Sequence, residues 1–305
     1  MRCAGRTAIV PVKSSASPIR ARSAILCAGG RVPRTRKRGK RLTVGIAGLG
    51  AIGLDVAKRL GAVPGLKLVA VSARDAKAAA ARLKAAGIKA SVVALPELAR
   101  RADIVVECLP AEHFRAVAEA AIKRRRIFVP LSAGALLTNF DLVERARRTG
   151  ARIIVPTGAL IGLDAVRAAA EGEIRSVRMV TRKPPAGLDG APYLAARGIS
   201  VAGLTAPKKV FEGSARDGAA GFPANVNVAA ALSLAGIGPD RTTLEIWADP
   251  SLTRNTHRIE VEADSARFAM TIENVPSENP KTGRITALSV IACLKGLVET
   301  LRVGS

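Results

Sequence analysis

The sequence predicts an α/β protein: a Rossmann-type doubly wound parallel sheet followed by a C-terminal α+β domain. Three observations predict it. Short, nearly continuous apolar strands alternate with amphipathic helices over 42–157, as in a parallel sheet covered on both faces. Gly48-Leu49-Gly50-Ala51-Ile52-Gly53 joins the first of these strands to the first helix. Beyond about 160 the strands lengthen and alternate apolar with polar residues, the mark of a half-exposed antiparallel or mixed sheet.

The elements follow in order. A strand over 42–47 leads into a helix over 51–60 with Ile52, Val56 and Leu60 on one face. A strand over 66–71 precedes an alanine-rich helix over 76–86 that Gly87 ends. Next come a short strand over 91–95, a helical turn over 96–100 and a strand over 103–107 running into Cys108-Leu109-Pro110. A helix over 111–124, a strand over 127–131, a helix over 141–149 and a strand over 152–155 complete the first set. After a helix over 163–171, strands are predicted over 176–181, 208–212, 243–248, 258–262 and 267–272. One long helix, over 225–235, interrupts them. The last segment, 282–301, reads as an amphipathic helix with Ile285, Leu288, Ile291 and Leu294 on its apolar stripe. The division expected is a basic disordered extension over 1–41, a dinucleotide-binding domain over 42–160 and a substrate domain over 161–305 that includes the terminal helix.

Charge is unevenly placed. The 305 residues carry 48 Lys and Arg against 24 Asp and Glu, a formal net charge of +24. Twelve of the bases and none of the acids fall in 1–41, leaving +12 for the rest. That remainder suits anionic ligands such as dinucleotides and carboxylates. The extension lacks helical or strand periodicity and is expected to be disordered. Its composition is that of an organellar transit peptide as well as that of an over-extended start, since no Met follows Met1 before Met179. No apolar run approaches the roughly 20 residues a membrane helix needs. Cys3, Cys27, Cys108 and Cys293 have neither CxxC spacing nor partner histidine clusters, so disulfide frameworks and metal sites are not expected. Reduced thiols and a cytoplasmic location are the expectation.

The glycine turn specifies a dinucleotide. Gly48 allows the tight turn, Gly50 lets the pyrophosphate reach the backbone, and Gly53 lets helix and sheet pack closely. Ala51 and Ile52 open the helix, whose N-terminus offers free N–H groups and partial positive charge to phosphates. An acid at the end of the second strand would favour NAD. Here Val71-Ser72-Ala73-Arg74-Asp75 stands instead. Arg74 either pairs with a 2′-phosphate, so that NADP is accepted, or is a solvated loop residue beside a helix-capping Asp75.

Hydride transfer also needs a group that handles a proton. Of two histidines, His113 falls at a helix start with a surface role. His257 precedes Ile259 and Val261 at strand spacing and so opens the covered face of a strand. A satisfied core histidine and a catalytic one both fit that position.

The segments 222–236, 249–262 and 273–286, with Gly158-Ala159-Leu160-Ile161-Gly162-Leu163-Asp164-Ala165 and Thr181-Arg182-Lys183-Pro184-Pro185, resemble the L-aspartate dehydrogenase family. The resemblance runs from about Leu42 to the C-terminus. It implies oxidative deamination of L-aspartate to iminoaspartate with NAD or NADP, supplying quinolinate and so NAD biosynthesis, by a homodimer. It places His257 at the family's active-site histidine, and Asn227 and Ile161 at cofactor contacts, the latter where a small residue is usual. Arg182, Lys183, Lys281 and Thr282 are candidates for the substrate carboxylates. Two other readings remain at this point: a sibling dehydrogenase acting on another amino or hydroxy acid, and a non-catalytic cofactor-binding protein docking polyanions through the extension. The absence of an aromatic-interleaved basic motif speaks against nucleic acid, and no membrane partner is expected.

Overall fold

Six short strands form the first sheet: β1 (Leu42–Ala47), β2 (Leu66–Ser72), β3 (Ser91–Val92), β4 (Ile104–Glu107), β5 (Ile127–Pro130) and β6 (Arg152–Ile153). They are all parallel, in the order β3-β2-β1-β4-β5-β6. This is the doubly wound arrangement, whose order reverses between β1 and β4 and opens a crevice at their C-terminal ends. The computed structural model describes residues 41–223, 226–277 and 283–304. The extension expected to be disordered, 1–41, therefore lies outside the described residues except for Arg41, as do Lys281 and Thr282.

Among the described residues six α-helices connect these strands: α1 (Ala51–Leu60), α2 (Ala76–Ala85), α3 (Leu95–Arg101), α4 (Phe114–Lys123), α5 (Ala133–Thr138) and α6 (Asp141–Thr149). Asp75 caps α2, its Oδ1 accepting from Ala78 N at 2.8 Å. The sequence did not announce α5, because six residues are too few to display a period. On one face of the sheet Phe114, Val117, Ala121 and Leu142 are buried with Phe128; on the other lie Val56, Leu60 and Leu83.

The second sheet contains β7 (Ile174–Lys183), β8 (Lys208–Ser214), β9 (Thr242–Ala248), β10 (Asn255–Ala263) and β11 (Arg267–Asn274), ordered β11-β10-β7-β9-β8. It is mixed: β7 and β9 run parallel and the other pairs antiparallel. Alternation along β10 buries Asn255, His257, Ile259, Val261 and Ala263. The covered face packs on α7 (Leu163–Ala169) and α10 (Asn227–Ala235), with the short helices α8 (Pro192–Ala196) and α9 (Ala215–Gly221) beside them. On the other face Arg178 bridges Glu245 at 2.6 Å and Glu260 at 2.8 Å.

The last helix, α11 (Ile285–Lys295), is shorter than expected and belongs elsewhere. It packs against α1, burying Ala287, Val290, Ile291 and Leu294 in the core that holds Val56 and Leu60. Burying Val290 and Leu294 contributes roughly 1.5–3 kcal/mol each. Of the expected stripe, Ile291 and Leu294 are buried whereas Ile285 and Leu288 are exposed. The helix is apolar on most sides, so periodicity could not select its buried face. Among the described residues no helix is long and apolar enough to cross a membrane.

Candidate active site

The glycine turn sits at the C-terminal end of β1, where the strand order reverses. Each glycine has a separate physical reason. Gly48 adopts φ +98°, and a Cβ there would lie 2.5 Å from the Cys108 carbonyl oxygen. A Cβ on Gly53 would lie 2.0 Å from the Gly48 oxygen, whereas one on Gly50 would meet nothing within 4 Å. The turn is therefore packed tightly beneath and open above. No side chain caps α1 at Gly50, so first-turn N–H groups remain available to an anion. Arg82 of α2 braces the turn, its Nη1 donating to Leu49 O at 2.9 Å. These features fit the diphosphate of a dinucleotide.

Gly50, Ala51 and Ile52 line one wall of a cavity of about 400 Å³. The second sheet supplies the facing wall through Lys183, Asn255, His257 and Asn274. Strand pairing explains the convergence. His257 lies opposite Thr181 in β7, and Asn255 lies opposite Asn274 in β11. Lys183 follows Thr181 by two residues and so shares its face.

His257 is 3% exposed, with Nδ1 3.2 Å from Thr181 Oγ1. Burial, and after it the charge of Lys183, lowers its pKa to about 3. The imidazole is therefore neutral in the physiological range. Lys183 is itself 3% exposed. Asn274 Nδ2 donates to Ala159 O at 3.0 Å, which ties β11 to the loop over 156–159 on the cavity rim. Asn227 Oδ1 accepts from Gly134 N at 3.0 Å, joining α10 to α5. Glu107, buried at the end of β4, accepts from Leu109 N at 2.8 Å and from Ser132 N at 3.0 Å. It thus fastens two cavity-lining loops together, and burial raises its carboxyl pKa against the pull of those bonds.

Of the residues singled out in the sequence, Gly50, Ala51, Ile52, Lys183, Asn227 and His257 meet on this cavity, with Gly48 and Gly53 shaping the turn beneath. Arg182 does not. Adjacent residues of a strand face opposite ways, so Arg182 lies on the outer face, 4.6 Å above the Trp247 ring and 3.4 Å from Asp249. Of the two adjacent cations, only Lys183 therefore lines the cavity. Ile161 lies off the cavity, which Pro156, Thr157, Gly158 and Ala159 line instead. Arg74 is exposed beyond β2, outside the cavity lining, and His113 is exposed in a single 3-10 turn. Thr181, Asn255, Asn274, Glu107 and Ser132 went unassigned. Thr181, Asn255 and Asn274 lie within or beside the family-like segments, but only the strand register reveals which of them face His257.

Comparisons with known proteins bear on both lobes. A family model described as aspartate dehydrogenase, C-terminal, matches residues 164–297, and one described as homoserine dehydrogenase, NAD binding domain, matches 48–156. An L-aspartate dehydrogenase of Bradyrhizobium diazoefficiens is 59% identical over 264 residues, covering 87% of this chain and 94% of that protein. L-aspartate dehydrogenase 3 of Bordetella bronchiseptica is 54% identical over 268 residues, covering 87% and 98% respectively. The crystal structure of an aspartate dehydrogenase from Thermotoga maritima shares the fold, with a TM-score of 0.66 at 24% identity over 87% of this chain and all of that one.

Proposed function

The chain belongs to the L-aspartate dehydrogenase family, and from that premise we propose how its cavity works on L-aspartate. The reaction is NAD(P)-dependent oxidative deamination to iminoaspartate. The observation that supports this reading best is the meeting of His257 and Lys183 with the glycine turn across one cavity. When bound, the nicotinamide supplies the hydride acceptor. Gly50, the α1 N-terminus and Asn227 would hold the dinucleotide.

The protein's own residues supply the rest. Hydride can leave Cα only after the α-ammonium has lost a proton, because the nitrogen lone pair must form the new C=N bond. His257 is neutral in the free protein, and with the substrate's carboxylates beside it offsetting the charge of Lys183 that helps hold its pKa down, it accepts that proton at Nε2, then returns it to solvent. The electron pair of the Cα–H bond leaves as hydride. Lys183 is a buried cation facing the same space and binds one substrate carboxylate. A homodimer in the cytoplasm completes the reading; its mass in solution is checked by light scattering.

Initial rates of NAD+ and NADP+ reduction, with L-aspartate set against a panel of amino and hydroxy acids, test the assignment. Aspartate-dependent reduction is expected. Brisk turnover of another acid with none on aspartate would replace it with a sibling activity. Removing the Lys183 charge by Lys183→Met should raise KM for L-aspartate about 10²-fold, the scale for a desolvated charge pair losing one partner, while NAD(P)H affinity stays within about threefold. An unchanged KM would assign Lys183 to the fold. Arg74→Ala should weaken NADP+ binding more than NAD+ binding; equal changes would remove its phosphate role.

A further inference from the structure

Thr181 and His257 form a cross-strand pair on the covered face of the second sheet, Oγ1 to Nδ1 at 3.2 Å, and both are almost fully buried. A hydroxyl can either donate to Nδ1 or accept from it, so the contact alone permits two tautomers. The two have different chemical consequences. If Thr181 donates, the ring's proton sits on Nε2, and no lone pair is available to take a proton from the substrate. If Nδ1–H donates to Oγ1, the Nε2 lone pair is available.

The surroundings favour the second arrangement. Lys183, two residues along the same face, brings a positive charge to bear on the ring, and a cation prefers a lone pair to an N–H pointing into the space they share. The proton cycle favours it too. After Nε2 has taken the amino proton, both nitrogens carry hydrogen, and Nδ1–H needs an acceptor inside the protein. Thr181 Oγ1 already serves in that sense, so the hydroxyl need not turn over at each cycle.

We infer that Thr181 is a positioning residue that holds His257 in the Nδ1–H tautomer and keeps Nε2 as the proton acceptor of the reaction. This rests on His257 acting as the acid–base group. A hydroxyl in this place also differs from a carboxylate, which would stabilise the imidazolium and slow its discharge. The pair gives a base that takes the proton and releases it readily, rather than storing it.

The chain has only two histidines, so the tautomer can be read directly. In protein labelled with 15N-histidine, long-range 1H–15N correlations near neutral pH should show one ring as the Nδ1–H form, and His113→Gln identifies it as His257. Thr181→Val, which keeps the shape and removes the hydroxyl, should shift that ring toward Nε2–H. It should lower kcat about 10- to 100-fold, the scale for losing a partner that orients a functional histidine. KM for L-aspartate and the Kd of NAD(P)H should stay within about threefold, and Thr181→Ser should recover kcat to within about threefold of the parent. An Nε2–H ring at His257 in the parent overturns the inference, and that spectrum decides even if Thr181→Val fails to fold. So does a parent-like kcat in Thr181→Val, or a fall in cofactor affinity matching the fall in kcat. Inactivity of the parent on aspartate would instead refute the function, visible before any variant is made.

Discussion

Replacing His257 with glutamine lowers turnover of L-aspartate by about 10²- to 10⁴-fold, the range for losing a positioned acid–base group. The loss is expected in kcat, with NAD(P)H affinity close to that of the parent, because His257 lies on the wall facing the glycine turn. The pH profile supplies a second check. With the ring's pKa near 3 through burial and the neighbouring Lys183, no imidazole titration should appear in kcat/KM between pH 5 and 8. Glutamine is close to histidine in size and polar, so the fold should survive; circular dichroism and thermal melting confirm that. Parent-like turnover in the glutamine variant would leave His257 as a core residue and return the proton chemistry to solvent.

Two glycines of one turn should fail in opposite ways. Gly53→Ala places a methyl 2.0 Å from the Gly48 oxygen, and Gly48 is itself fixed by its N–H bond to Ser72 O at 2.7 Å. Backbone must move, and overpacking of this kind costs about 3 kcal/mol, lowering Tm by about 6–12 °C in a domain of this size. Gly50→Val meets open space. The cofactor-free protein should melt within about 2 °C of the parent, yet NAD(P)H affinity should fall about 10²-fold, near 2.7 kcal/mol, because the side chain occupies the phosphates' place. Calorimetry and fluorescence titration separate the two effects. Equal Tm losses in both variants would refute the distinction.

What could be read from the sequence depended on the distance over which each feature is encoded. The first sheet was legible because each strand–helix unit is local and the glycine turn marks its start. Period-two spacing placed His257 on a covered face, and the structure buries it there. The partners of that side chain were not legible. Thr181 lies 76 residues from His257 in sequence, and its meeting depends on the register between β7 and β10. Arg182 and Lys183 looked alike as cations for the same reason. Once His257 is known to pair with Thr181, Lys183 must face inward and Arg182 outward. Ile161 differs: its place in a family-like segment suggests a cofactor contact, while Gly158 and Ala159 are the residues of that loop that line the cavity.

The return of α11 to α1 governs how the chain can be made. Residues 61–284 separate the two helices, so the first lobe's core stays incomplete through most of vectorial synthesis. Until α11 is made, the part of α1 that it covers stays exposed, a state open to chaperones and to aggregation. Closing so long a loop adds little entropic cost, since that cost grows only logarithmically with length, but it delays the closure. Completion of the first lobe's core thus waits on residues that follow the second sheet in the chain.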